Sequence, residues 1–88
     1  MAVVYILRSL KNHRFYIGST SNLTRRLTEH KLGKSSYTRN ILPIELVFKQ
    51  EFESLAKAKK VENWLKKQKS NDLLNKIIVD SKIKKDFD

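Results

Sequence analysis

Cysteine is absent from these 88 residues, which excludes disulfides and thiolate zinc sites and fits a reducing compartment. A single proline and only two glycines leave no interdomain linker, so the chain reads as one small domain with one modest core. Long apolar runs are missing as well: nothing approaches a membrane span, and the N-terminus lacks a leader-like apolar segment. A soluble cytoplasmic protein with no membrane partner is the expectation. Acidic residues are scarce, nine against nineteen lysines and arginines, for a formal net charge of +10. On so small a domain that imbalance sets up a long-range field that attracts polyanions, nucleic acid first among them. The plainer source of such charge is lysine on every solvated face, and charge alone says nothing of catalysis.

The informative residues lie between positions 3 and 30. Residues 2–9 are nearly all apolar and rich in β-branched and aromatic types, which predicts a central strand. Lys11 to His13 make a polar turn that lacks an Asn-Gly or Asp-Gly signal, and residues 14–19 form a second, antiparallel strand. Gly18 falls where a side chain would crowd a ligand or a neighbouring backbone. Ser21 or Asn22 caps a helix running to Leu32, with Gly33 at the position of a C-terminal cap. Leu23, Arg26, Leu27 and His30 share one face of this helix, whereas Arg25 points the opposite way.

Residues 33–40 form a basic loop carrying Lys34, Tyr37 and Arg39, which are candidates for contacting nucleic acid. After Pro43, residues 44–52 read as an edge strand in which Leu46, Phe48 and Gln50 alternate with Glu45, Val47 and Lys49. Ser54 caps a helix through Gln68. Ser70 restarts a shorter one over 71–79 with Leu73, Leu74, Ile77 and Ile78 inward, and residues 80–88 read as a frayed charged tail. In the first of these helices Leu55, Ala58, Val61 and Leu65 define an apolar arc, and Glu62 falls inside it while every lysine lies outside. A carboxylate aimed at a core is costly unless a cation or metal meets it; the plainer alternative is a rim glutamate paired with a lysine. Trp64, off that arc, can pack against the last helix or stack on a base, with packing the expectation, and His13 is expected to be solvated.

Tyr5, the run Phe15-Tyr16-Ile17-Gly18, Arg26, His30 and Glu62 together resemble the signature of the GIY-YIG nuclease domain, with arginine ten and histidine fourteen positions after Tyr16. Gly18 through Leu23, Arg25-Arg26-Leu27, Tyr37-Thr38-Arg39 and Pro43 with Leu46-Val47-Phe48 are similar to its short, single-domain bacterial branch. The resemblance runs to about residue 78. Val3 stands where the first triplet of the family has glycine, and the late asparagine of many members has two candidates, Asn71 and Asn75. The family implies an α+β fold, a three-stranded antiparallel sheet flanked by helices in the order β-β-α-β-α-α. Residues 1–79 would form that domain, without the separate DNA-recognition domain that other members carry.

The resemblance also implies chemistry: phosphodiester cleavage with one divalent metal, Mg2+ or Mn2+, on DNA ahead of RNA, with structure-selective repair or recombination as the setting. A tyrosine is a poor base near neutral pH unless cations lower its pKa from about 10. By resemblance Tyr5 is the general base and Tyr16 positions water or phosphate, though the two roles can be exchanged. Arg26 binds phosphate and stabilises its charge, His30 hydrogen-bonds a tyrosine or the phosphate, and Glu62 is the protein ligand of the metal. Arg25 adds affinity only. Two other readings stay open. The tyrosines are core residues and Arg26 pairs with Glu62, which leaves a nucleic-acid-binding module without turnover. Or the chain is a basic adaptor for an acidic protein.

Overall fold

The computed structural model describes residues 1–34 and 42–83. Tyr37 and Arg39, with the loop contacts expected of them, lie outside these residues. Six elements follow in order: β1 Ala2–Ser9, β2 Phe15–Thr20, α1 Leu23–Lys31, β3 Ile44–Phe52, α2 Leu55–Gln68 and α3 Asn71–Asp80. This is the α+β order predicted from the sequence. The sheet is antiparallel throughout, with strand order β2-β1-β3.

β1 is central, and both of its faces are covered. Ala2, Val4 and Ile6 point into the larger core with Ile17, Phe48, Ala58, Val61, Leu65, Leu74 and Ile77, which brings α2 and α3 onto that face. Tyr5 and Leu7 point the other way, into a smaller cluster with Ile44, Tyr16, Leu23 and Leu27, which brings α1 onto the second face. A strand buried on both sides reads as a continuous apolar run rather than an alternation, and residues 2–7 do.

The turn between β1 and β2 forms without a glycine because side chains replace the usual signal. Ser9 Oγ is buried and accepts from the backbone N–H groups of Lys11 and Asn12 at 3.1 and 3.2 Å, while Asn12 Oδ1 accepts from Arg14 N–H at 2.9 Å. His13, exposed as expected, takes the left-handed conformation that closes the turn (φ 62°).

Asn22 is the cap of α1, its side chain accepting from Arg25 N–H. At the other end Gly33 N–H bonds to His30 O and Lys34 N–H to Glu29 O, with Gly33 at φ 74°. That pair of bonds is a Schellman closure, which needs a left-handed residue where glycine stands. Ser54 and Ser70 cap α2 and α3 by accepting from the N–H groups of Lys57 and Leu73. Trp64, although off the apolar arc of its helix, is half-buried against the larger core beside Leu73 and Ile77, the packing expected over stacking on a base.

Four expectations are corrected. β2 starts and ends one residue later than the pattern indicated. Strict alternation in β3 breaks at Val47: Phe48 pairs with Ile6 but Leu46 pairs with Leu7, so Val47 is the extra residue of a bulge and Leu46 turns to the α1 side, 37% exposed. Leu55 is 39% exposed because it opens α2 before the helix reaches the sheet. The tail expected to fray from residue 80 does not do so at its start. α3 runs through Asp80, Ile83 is buried in the larger core, and Ile83 N–H donates to Gln50 Oε1 at 2.9 Å.

Candidate active site

Gly18 and Tyr5 face each other across β2 and β1. A Cβ built on Gly18 would lie 2.5 Å from Tyr5 Cζ and 2.9 Å from Tyr5 Cε2. The outer end of the Tyr5 ring therefore lies over the bare backbone of Gly18, and its hydroxyl reaches towards the outer strand β2. Any side chain at position 18 would displace it.

α1 supplies the partners of that hydroxyl. His30 is 1% exposed, and its Nε2 lies 3.0 Å from Tyr5 Oη, with the two rings edge to face. Burial, helped by the Arg26 charge, pushes the His30 pKa below its ordinary value, which favours the neutral ring. In the tautomer with its proton on Nδ1, the neutral ring accepts the Tyr5 hydroxyl proton at Nε2; in the other, Nε2–H donates to Tyr5 Oη. The Arg26 guanidinium, one turn earlier, is within hydrogen-bonding reach of the same oxygen and pairs with Glu29 at 3.2 Å. For Tyr5 itself burial is the strongest influence and raises the pKa, and the opposing effects of Arg26 and Lys66 do not overcome it. With Arg26 alone Tyr5 is thus a neutral phenol between His30 and a cation; the field expected to make it acidic combined Arg26 with a metal at Glu62.

Glu62 approaches from the opposite face. Alternation in β2 puts Tyr16 and Gly18 on the α1 side and Ser19 on the α2 side. Ser19 Oγ donates to Glu62 Oε1, and Lys66 Nζ lies 2.6 Å from Glu62 Oε2. Burial, the largest influence on Glu62, would raise its pKa, but the hydrogen bonds from Lys66 and Ser19 bring the carboxyl below its ordinary value. Glu62 is therefore anionic, and its charge is felt at Tyr5, where it favours the neutral phenol. Among the described residues no group of three or more His, Cys, Asp or Glu could hold a metal. One anionic carboxylate backed by a hydroxyl nevertheless suits magnesium, which keeps several waters and takes one or two carboxylates. The donor set fits a hard, largely hydrated cation.

Of the candidate residues, Tyr5, Arg26 and His30 meet at one oxygen atom. Tyr16 joins Tyr5 and Leu7 in the smaller cluster, half-buried. Arg25 is exposed on the far side of α1, and Lys34 is exposed just past its end. The ion pair considered between Arg26 and Glu62 does not form; each has a nearer partner, Glu29 and Lys66. Ser19 is the contributor that the sequence reading overlooked, although strand parity from Gly18 would have placed it facing α2.

Residues 1–77 match the GIY-YIG catalytic domain. The chain is 39% identical over 69 residues to a UPF0213 protein of Streptococcus pneumoniae, covering 77% of this chain and 69% of that one. It is 37% identical over 78 residues to a UPF0213 protein of Clostridium perfringens, covering 88% and 83%. Its fold is similar to the solution NMR structure of a UPF0213 protein from Bacillus halodurans, with a TM-score of 0.55 and 32% identity over 90% of this chain and 84% of that one. The matched span includes every element of the sheet, α1 with its arginine and histidine, and the glutamate of α2. The chain therefore belongs to the GIY-YIG catalytic domain family, whose members are generally nucleases that use a divalent metal.

Proposed function

We propose that this protein is a metal-dependent endonuclease that hydrolyses phosphodiester bonds of DNA, with structure-selective repair or recombination as its setting. The observation that carries this reading is the convergence of a buried neutral histidine and an arginine on the hydroxyl of Tyr5. A core tyrosine needs one hydrogen-bond partner. An acceptor on one side and a cation on the other suit proton transfer beside a developing negative charge.

In this reading an attacking water gives a proton to Tyr5 Oη as the tyrosine passes its own to His30 Nε2, so no free phenolate forms. As the water oxygen bonds to phosphorus the bond to the leaving oxygen breaks; that oxygen takes a proton from a solvent water, and the imidazolium returns its own to solvent through Tyr5 Oη. Arg26 turns from Glu29 to the phosphate, where a guanidinium binds two oxygens at once and stabilises the charge that builds on them. Tyr16, on the same face, positions the water or the phosphate. Glu62 holds magnesium or manganese, which when bound neutralises phosphate charge as a Lewis acid. Arg25 and Lys34 add affinity through the backbone of the nucleic acid.

The test is cleavage of a panel of labelled DNA substrates (duplex, nicked, flapped, branched and single-stranded) in Mg2+, Mn2+ or chelator. The reading expects metal-dependent cleavage of at least one structure. Binding without cleavage under every condition would instead establish a nucleic-acid-binding module.

A further inference from the structure

Glu62 is held from two sides by groups of opposite consequence. Ser19 lies on β2, fixed by its pairing with Val4 of β1, and its hydroxyl donates to Oε1. Lys66 lies one turn further along α2, its side chain 43% exposed against 13% for Glu62, and its ammonium sits on Oε2. The serine is neutral and strand-anchored, so it orients the carboxylate without cancelling its charge. A carboxylate oxygen has room for more than one partner, so a cation at Glu62 can coexist with the Ser19 bond. The ammonium has the same sign as a metal ion and occupies the oxygen that faces outward. Metal and lysine compete for it.

We propose that Ser19 and Lys66 set the affinity of Glu62 for a divalent cation in opposite directions, Ser19 as a positioning residue that fixes the carboxylate and Lys66 as a resident cation that competes for it. This rests on the reading of Glu62 as the metal ligand. In the absence of metal the pair with Lys66 keeps a half-buried carboxylate charged and compensated. When metal enters, the ammonium is displaced on its long side chain beside the site, where it adds to the positive field on the phosphate.

Binding of Mn2+ alone, followed by the paramagnetic resonance of the free ion, tests the proposal on the whole chain. Ser19→Ala should weaken Mn2+ binding about tenfold or more, the usual scale for removing a group that orients a metal ligand, and Ser19→Thr should restore it. Lys66→Met, which keeps most of the stem, should tighten binding severalfold, the scale of a partly exposed ion pair. The Mn2+ concentration for half-maximal cleavage should shift in the same two directions. Unchanged binding in Ser19→Ala, or binding no tighter in Lys66→Met, overturns the proposal. Should Ser19→Ala fail to fold, Lys66→Met at its exposed position still decides. Glu62→Gln separates the two levels: if it binds Mn2+ like the wild type, the metal reading falls and this proposal with it. If it loses binding while the Ser19 and Lys66 variants match the wild type, only this proposal falls.

Discussion

At the scale of single residues, the site depends on an absence at position 18 and a proton missing from position 30. A methyl group at Gly18 would meet Tyr5 Cζ at 2.5 Å, in the rigid part of the ring rather than at a flexible end. Gly18→Ala should therefore cost about 1–3 kcal/mol of stability, the range for an overpacked core, read from denaturant midpoints. Adding Tyr5→Phe should not relieve it, because Cζ and Cε2 remain; full recovery in the double variant would show that the hydroxyl alone is crowded. His30 gives a pH dependence with a definite sign. Burial depresses its pKa from 6.5, so below that value the unfolded chain binds a proton that the native state resists. Stability from this group is present above about pH 6.5 and is lost as the pH falls through the depressed native value. Glu62, also depressed, contributes its own loss only below its ordinary value of 4.5, so the interval between isolates the histidine. Melting temperatures should fall between pH 7 and pH 5 in the wild type and fall less in His30→Gln. Equal slopes in both would show that another group carries the effect.

At the scale of elements, α1 sorts two adjacent arginines by face. Arg25 is exposed, whereas Arg26 is half-buried beside Tyr5 and Glu29. Arg26→Ala should slow cleavage by about a hundredfold or more, the scale for one lost transition-state donor, with affinity only modestly changed. Arg25→Ala should weaken binding slightly and spare turnover, as a purely electrostatic contact would. Equal effects of the two substitutions on both measurements would favour a binding module.

That sorting was legible in the sequence because a helix repeats every 3.6 residues whatever surrounds it. The same holds for the caps at Asn22, Ser54 and Ser70, each a side chain acting on its own helix. What escaped the sequence depended on distant partners. The bulge at Val47 is set by pairing with Ile6 and Leu7 some forty positions away, and no local signal marks it. Ile83 is held by Gln50 of β3, so a charged stretch that looks solvated begins with a packed residue. The rise in the Tyr5 pKa has the same origin: Arg26 is visible in the sequence, but the burial that outweighs it is a property of the assembled fold.

At the scale of the whole molecule, a net charge of +10 on 88 residues faces any polyanion before a specific contact is made. Binding should be mostly electrostatic. The logarithm of the affinity should fall linearly as the logarithm of the salt concentration rises, with little dependence on base sequence. Affinity that ignores salt, or that discriminates sharply between duplex sequences, would contradict this. Charge accounts for attraction alone; in the proposed function hydrolysis depends on one oxygen atom, Tyr5 Oη. The direct measurement compares wild type with Tyr5→Phe, which keeps the ring over Gly18 and removes only the hydroxyl between His30 and Arg26. On whichever DNA structure the wild type cleaves in Mg2+, a proton-carrying role for Tyr5 Oη predicts unchanged binding and a rate lower by roughly a hundredfold to ten-thousandfold, the range for losing a positioned proton-transfer group. Cleavage by Tyr5→Phe at the wild-type rate would contradict it.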